Sequence, residues 1–196
     1  MRIIGGALRG RLLPARPAAG TRPTSDRVRE AIASALSARG AFDQASVLDA
    51  FAGTGALGFE ALSRGALRVL AVDSDRRALL AIRENAQALG LGRKLRALPL
   101  DLLGPATKVA AALEQSGFAP FSLVFADPPY SLAQSATERL AELAQRSLFE
   151  PGALVVLEHA ARTLPALPAG FRELSSYRYG DTGVRLWETI APPQKS

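Results

Sequence analysis

Val47-Leu48-Asp49-Ala50-Phe51-Ala52-Gly53-Thr54-Gly55-Ala56-Leu57-Gly58 is the stretch on which the fold of this chain turns. Val47 to Phe51 is a short, mainly apolar run, the pattern of a strand buried on both faces. The glycines after it allow a tight turn and a close approach of backbone to a ligand. From Ala56 to Arg64 the pattern becomes helical. Strand, glycine-rich turn and helix then repeat. Strands are expected at Arg68–Val72, Leu95–Leu100, Leu123–Ala126 and Ala153–Leu157, and helices at Arg76–Ala88, Ala106–Gln115 and Gln134–Arg146. Such alternation predicts an α/β fold with a parallel sheet covered on both faces. The end differs: Phe171–Tyr179 and Val184–Ile190 are strand-like and joined by Gly180-Asp181-Thr182-Gly183. That is a hairpin signal, so one edge of the sheet should be antiparallel.

Upstream, Ile3-Ile4 and Leu12-Leu13 flank Gly5-Gly6 and the basic Leu8-Arg9-Gly10-Arg11, which reads as a β-hairpin over Met1–Arg16 with basic turns. Pro17–Pro23 reads as a linker, and Thr24, Ser25 or Asp26 can cap a helix. Val28, Ala31, Ile32, Ala35 and Leu36 give that helix an apolar face, and Arg27, Arg29 and Glu30 fall on the other. The organisation is therefore a basic N-terminal extension over 1–23, an α/β domain over 24–191 and a frayed tail over 192–196.

The 196 residues carry a formal charge of +6, with Arg2, Arg9, Arg11, Arg16, Arg22, Arg27 and Arg29 crowded near the start. Arginine grips phosphate through paired hydrogen bonds and stacks on bases, so a polyanionic partner is the simplest reading. A GC-rich genome would explain arginine over lysine, but not the clustering. Cysteine is absent, which excludes disulfides and thiolate chemistry, and a single histidine argues against zinc. No apolar run is long enough for a membrane span and no signal peptide is visible. A soluble, cytoplasmic monomer is the expectation.

Asp127-Pro128-Pro129-Tyr130 follows the apolar Leu123–Ala126 and sits where a buried strand would end. It resembles the Asp-Pro-Pro-Tyr motif of enzymes that methylate amino nitrogens with S-adenosylmethionine. An exocyclic amino group is a weak nucleophile because its lone pair is delocalised into the ring. A carboxylate and rigidly placed carbonyls can hold its N–H groups, and the prolines fix φ and remove competing donors. The tyrosine ring offers a face for a flipped base.

Gly53-Thr54-Gly55-Ala56-Leu57-Gly58 also fits the G-x-G-x-x-G fingerprint of dinucleotide enzymes, with Asp73 at the expected spacing for a ribose. Three features favour S-adenosylmethionine over a nicotinamide cofactor. Asp49 precedes the glycines, where a carboxylate suits an amino group and repels a pyrophosphate. Asp101-Leu102 ends the third strand, where it can meet the adenine. Asp127–Tyr130 ends the fourth, which lies beside the first in such a sheet. The expected cofactor residues are Asp49, Phe51, Ala52, Gly53, Thr54, Gly55, Asp73, Ser74, Asp101 and Leu102.

Taken together, Arg2-Ile3-Ile4-Gly5-Gly6, Arg9-Gly10-Arg11, Arg22-Pro23-Thr24-Ser25-Asp26-Arg27-Val28-Arg29-Glu30, Phe51 to Gly58, Glu60 to Ala66 and Tyr179-Gly180-Asp181-Thr182 resemble the bacterial small-subunit rRNA guanine-N2 methyltransferase D family. The resemblance covers nearly the whole chain. It implies a Rossmann-like class I methyltransferase fold of seven strands and methyl transfer from S-adenosylmethionine to N2 of a guanine in 16S rRNA, on an assembling 30S subunit. It carries the catalytic role to Asp127, Pro128, Pro129 and Tyr130. RNA contact falls to Arg2, Arg9, Arg11, Arg22, Thr24, Arg27 and Arg29. Many relatives end strand two with glutamate; here Asp73 and Asp75 are both candidates for the ribose. Glu158-His159 should end the fifth strand with His159 on a surface loop, and Trp187 and Tyr177 should fill the hairpin packing. A DNA adenine-N6 methyltransferase would share both motifs but needs a recognition region for which there is little room. A glutamine methyltransferase would more typically carry Asn at position 127. A non-catalytic rRNA-binding assembly factor would keep the arginines yet could lose Asp49 or Asp127; both are present.

Overall fold

Five strands rich in Val, Leu, Ala and Phe run parallel because helices return the chain over both sheet faces between them. The computed structural model describes residues 1–14 and 26–190. Its elements in chain order are α1 (Asp26–Ser37), β1 (Ser46–Ala50), α2 (Ala56–Ser63), β2 (Arg68–Asp73), α3 (Arg76–Ala88), β3 (Leu95–Pro99), α4 (Ala106–Gln115), β4 (Phe121–Ala126), a 3₁₀ turn (Tyr130–Leu132), α5 (Ala133–Gln145), β5 (Phe149–Ala160), β6 (Phe171–Tyr179) and β7 (Thr182–Thr189). They form one seven-stranded sheet in the order β3-β2-β1-β4-β5-β7-β6. β7 runs antiparallel to β5, and β6 antiparallel to β7. This is the Rossmann-like class I methyltransferase topology. The strand order reverses between β1 and β4, whose Ala50 and Ala126 are in register. The crevice above that reversal is where an open α/β sheet binds ligands.

Two apolar clusters cover the sheet. One joins Ile3 and Leu13 to Val28 and Ile32 of α1, Phe59 and Leu62 of α2, Ile82 of α3, and Val184 and Leu186 of β7. The other packs Val109 and Leu113 of α4 and Leu140 and Leu143 of α5 under Leu48, Leu70, Val124, Val155 and Trp187. Among the described residues no helix is long and apolar enough to cross a membrane.

The expected N-terminal hairpin is reduced to one antiparallel bridge, Arg2 with Leu12, closed by Ile3 N–H to the Arg11 carbonyl at 3.0 Å and Leu13 N–H to the Met1 carbonyl at 2.9 Å. Its arms are too short to form strands, and the loop between them bonds α2 instead. Ile4 N–H donates to the buried Glu60, and Gly5 N–H reaches the other carboxylate oxygen at 3.3 Å. Leu8 N–H donates to Ser63 Oγ at 2.9 Å and Ala7 N–H to the Ser63 carbonyl at 2.7 Å. The segment is thus anchored in the same core as the sheet.

Three expectations are corrected. Arg29 is not on a solvent face: it is 1% exposed, paired to Asp26 at 2.6 Å and bonded to the Arg2 carbonyl at 3.3 Å. The N-terminal segment packs on α1 and buries a wider arc of it than the apolar spacing implied. His159 is not in a surface loop: it is 3% exposed and inside β5, because β7 continues the ladder through His159–Gly183 to Ala160–Thr182. The final turn is the two residues Gly180-Asp181, so Thr182 and Gly183 already belong to β7. The linker Pro17–Pro23, Thr24, Ser25 and the tail lie outside the described residues.

Candidate functional site

A cleft of about 940 Å³ opens above the carboxyl ends of β1, β2, β4 and β5. Its floor is the turn after β1. Gly53 and Gly55 hold φ of 52° and 73°, values a side chain rarely adopts, and Phe51 holds 59° despite its ring. The Ala52 N–H donates to the Val72 carbonyl at 2.9 Å, so the turn is stitched to β2. Phe51 lines the cleft and packs on the second apolar cluster, serving pocket and core together.

Asp49 lies at the base of the cleft and is fully buried. Gly58 lets α2 press against it: the Gly58 N–H donates to Asp49 Oδ2 at 3.0 Å, and a Cβ on Gly58 would stand 2.9 Å from that oxygen. Burial pushes the Asp49 carboxyl up to about 8, partly offset by the Gly58 N–H and reinforced by the negative charges of Asp127 and Asp73. The negative charges of Asp73 and Asp127, facing one cleft beside Asp49, create a field that favours a cationic ligand.

Asp73 meets the turn directly. Its Oδ2 accepts from Gly53 N–H at 2.7 Å and its Oδ1 from Asp75 N–H at 2.8 Å. Asp75 instead caps α3, accepting from Arg77 N–H at 2.8 Å, and does not line the cleft. Each Asp73 oxygen keeps a lone pair for a ligand hydroxyl, which makes Asp73 the better of the two ribose candidates. Ala52, Thr54, Ser74 and Asp101 also line the cleft. Leu102 does not: it is buried in the second cluster, and Leu103 faces the cleft in its place. Asp101 Oδ1 accepts from Leu103 N–H at 3.0 Å, which turns the chain so that residue 103 and not 102 faces the ligand side.

Asp127, Pro128, Pro129 and Tyr130 line the opposite wall, directly after β4. The Tyr130 hydroxyl lies 2.9 Å from Thr182 Oγ1, tying this motif to the start of β7. Arg27 is exposed at the rim, and Arg2, Arg9 and Arg11 are exposed on the N-terminal segment. Arg22 and Thr24 lie outside the described residues.

Residues not assigned from sequence complete the wall. Glu158 is buried at the end of β5 and lines the cleft, as do Arg178, Tyr179 and Thr182 of the terminal hairpin. Glu158 obeys the same rule as Asp49, Asp73 and Asp127, an acidic residue near the carboxyl end of a parallel strand, and that position was the available signal.

The donor set fits S-adenosylmethionine. The buried Asp49 lines one cleft with Asp73 and Asp101, around a glycine turn that lets a ligand approach the backbone closely. Ribosomal RNA small subunit methyltransferase D of Haemophilus influenzae is 33% identical over 96% of this chain and 93% of its own length. The solved structure of yhhF from Escherichia coli superposes with a TM-score of 0.79 at 30% identity, covering 98% of this chain and 99% of that one. An RNA methyltransferase from Salinibacter ruber, solved with S-adenosyl-L-homocysteine, shares the fold at a TM-score of 0.62 and 17% identity, over 89% of this chain and 98% of that one. The family described as Conserved hypothetical protein 95 matches residues 1–188, and the chain belongs to it.

Proposed function

We propose that this chain transfers a methyl group from S-adenosylmethionine to the exocyclic N2 of a guanine in small-subunit rRNA. The observation that carries the reading is that one cleft holds both the Asp49–Asp73 cofactor cradle and the Asp127–Tyr130 motif. The cofactor supplies an electrophilic methyl on a sulfonium, an excellent leaving group. The enzyme's part is therefore mainly positioning. Asp127 and the Pro128 carbonyl accept from the guanine amino group and orient its lone pair. Tyr130, held by Thr182, presents its ring to the base. The methylated amine is acidic, so Asp127 or solvent takes its proton. Asp49, Gly53, Gly55, Asp73 and Asp101 hold the cofactor.

Arg2, Arg9, Arg11, Arg22, Thr24 and Arg27 are the proposed RNA contacts; Arg29, being buried, instead fixes Arg2 against α1. The substrate is an assembling small subunit, and the enzyme acts as a cytoplasmic monomer.

The test is labelled methyl transfer to under-methylated small subunits, naked 16S rRNA and duplex DNA, with the modified base identified by mass spectrometry. Label on guanine N2 in rRNA is expected. Label on adenine in DNA would move the enzyme to the DNA-modifying class. Tight cofactor binding without transfer to any nucleic acid would point to a non-catalytic assembly role.

A further inference from the structure

The chain has three tyrosines, and they form one path out of the cleft. Tyr130 bonds Thr182, Thr182 is in register with Tyr179, and the Tyr179 ring stacks on Tyr177 with centroids 6.4 Å apart and planes 28° from parallel. Tyr130 and Tyr179 line the cleft, whereas Tyr177 stands outside it and is 38% exposed. Tyr177 was expected to fill hairpin packing; Trp187 does so, fully buried, and Tyr177 does not.

Residues two apart on a strand share a face. Tyr177 pairs across to Val184, which packs in the cluster containing Ile3, Leu13, Val28 and Ile32. The ring pair therefore lies on the sheet face that carries α1 and the basic N-terminal segment. Arg178 leaves the strand on the opposite face and its Nε donates to the Gly180 carbonyl at 3.2 Å at the hairpin turn, yet, like Arg27 at the start of α1, it is exposed and lines the mouth of the cleft. Asp181 is the acidic residue of this hairpin at the rim. Aromatic rings flanked by arginines at the mouth of a cleft suit a single-stranded nucleic acid, whose bases stack on rings while its phosphates meet guanidinium groups. A base flipped into a pocket also leaves its neighbours without a stacking partner.

We infer that the Tyr177–Tyr179 pair is a stacking platform for an unpaired nucleotide flanking the target base, with Arg178 and Arg27 on the adjoining phosphates. This rests on the RNA-methylating reading of the cleft. Tyr177 does not line the cleft, so its loss should leave the cofactor site intact.

The experiment compares wild type with Tyr177→Ala and Tyr177→Phe in two readouts: steady-state methylation of under-methylated small subunits, and anisotropy of a labelled single-stranded oligoribonucleotide. Tyr177→Ala should raise KM for subunits and the oligonucleotide Kd by about tenfold, the effect of one lost base–aromatic contact. Its kcat and S-adenosylmethionine Kd should stay within about twofold of wild type, and Tyr177→Phe, which keeps the ring, should match wild type in both readouts. Arg178→Ala should reduce the slope of log Kd against log salt by about 0.7, as for one single-strand phosphate. Oligonucleotide binding unchanged in Tyr177→Ala, or equally weakened in Tyr177→Phe, would overturn the platform. So would a change of mass on sedimentation, which would make the pair a protein interface. Wild type that methylates no RNA would refute the reading of the cleft, while the oligonucleotide arm would still decide the platform.

Discussion

Tyr130 and Thr182, fifty-two residues apart, share a hydrogen bond of 2.9 Å that joins the turn after β4 to the first residue of β7. The ring of Tyr130 is thereby held from the side of the antiparallel hairpin. Thr182→Val keeps the shape and removes the hydroxyl. The ring then loses one restraint while the cofactor cradle on β1 and β2 is untouched. The expected result is a fall in kcat of about five- to thirtyfold, the worth of one hydrogen bond of about 1–2 kcal/mol, with S-adenosylmethionine affinity unchanged. Single-turnover methylation and calorimetric titration of the cofactor check it. An equal loss of cofactor affinity would show that the bond supports the whole cleft.

Asp49 makes the protein sensitive to pH. Its carboxyl is raised by burial from the ordinary 3.8 to about 8, so it is protonated in the folded apoprotein and ionised in the unfolded chain between those values. The native state binds the extra proton there, so this group's stabilisation is complete below about pH 4 and is lost as pH rises toward 8. Between pH 5 and 7 the stability of wild type relative to Asp49→Asn should fall by up to about 1.4 kcal/mol per pH unit. Chemical denaturation of the two apoproteins at stepped pH checks the slope.

The same carboxyl should couple cofactor binding to proton release. An ammonium group beside Asp49 favours the carboxylate, so binding below pH 8 must expel the proton. Affinity for S-adenosylmethionine should therefore rise by up to about tenfold per pH unit from pH 6 and level off near 8. Calorimetry in buffers of different ionisation enthalpy should register close to one proton released at pH 6.5, and none in Asp49→Asn. Equal proton release in that variant would assign the proton to another group.

Gly58 is the residue that allows α2 to reach Asp49. A methyl group there meets Asp49 Oδ2 and Val69 Cγ1, each at 2.9 Å, and neither has room to retreat in the buried centre of the sheet. Gly58→Ala should destabilise the protein by about 1–3 kcal/mol through overpacking and weaken the cofactor more than fivefold by displacing Asp49. A thermal melt and a cofactor titration measure the two effects separately.

How far the sequence carried the reading depended on the range of the interaction. The parallel strands were legible because burial on both faces leaves an unbroken apolar run, as in Val69-Leu70-Ala71-Val72. The turn at Gly53–Gly55 and the motif at Asp127–Tyr130 were legible because their chemistry is local. Arg29 was not, since its burial depends on a segment more than twenty residues upstream that supplies the Arg2 carbonyl. The length of β5, and with it the burial of Glu158 and His159, is set by β7, so no local pattern reveals it. That Leu103 and not Leu102 lines the cleft has a narrower cause: the Asp101 turn moves the cleft-facing position on by one residue.

The anchoring of the N-terminal segment offers the last test. Gly6 has φ of +75°, and a Cβ there would stand 1.9 Å from the Ser63 carbonyl oxygen, which is backbone and cannot rotate aside. Gly6→Ala must therefore lift the loop from α2 and break the Ala7 and Leu8 hydrogen bonds to Ser63. Arg9 and Arg11 lie on that loop and lose their placement with it. The expected outcome is weaker binding to small subunits by about tenfold, as for one or two displaced phosphate contacts, with only a modest change in cofactor affinity. Arg9→Glu with Arg11→Glu, which leaves the loop seated, should weaken binding as much and flatten its salt dependence. If Gly6→Ala loses RNA binding but the double charge reversal does not, the loop positions another element and does not itself touch phosphate.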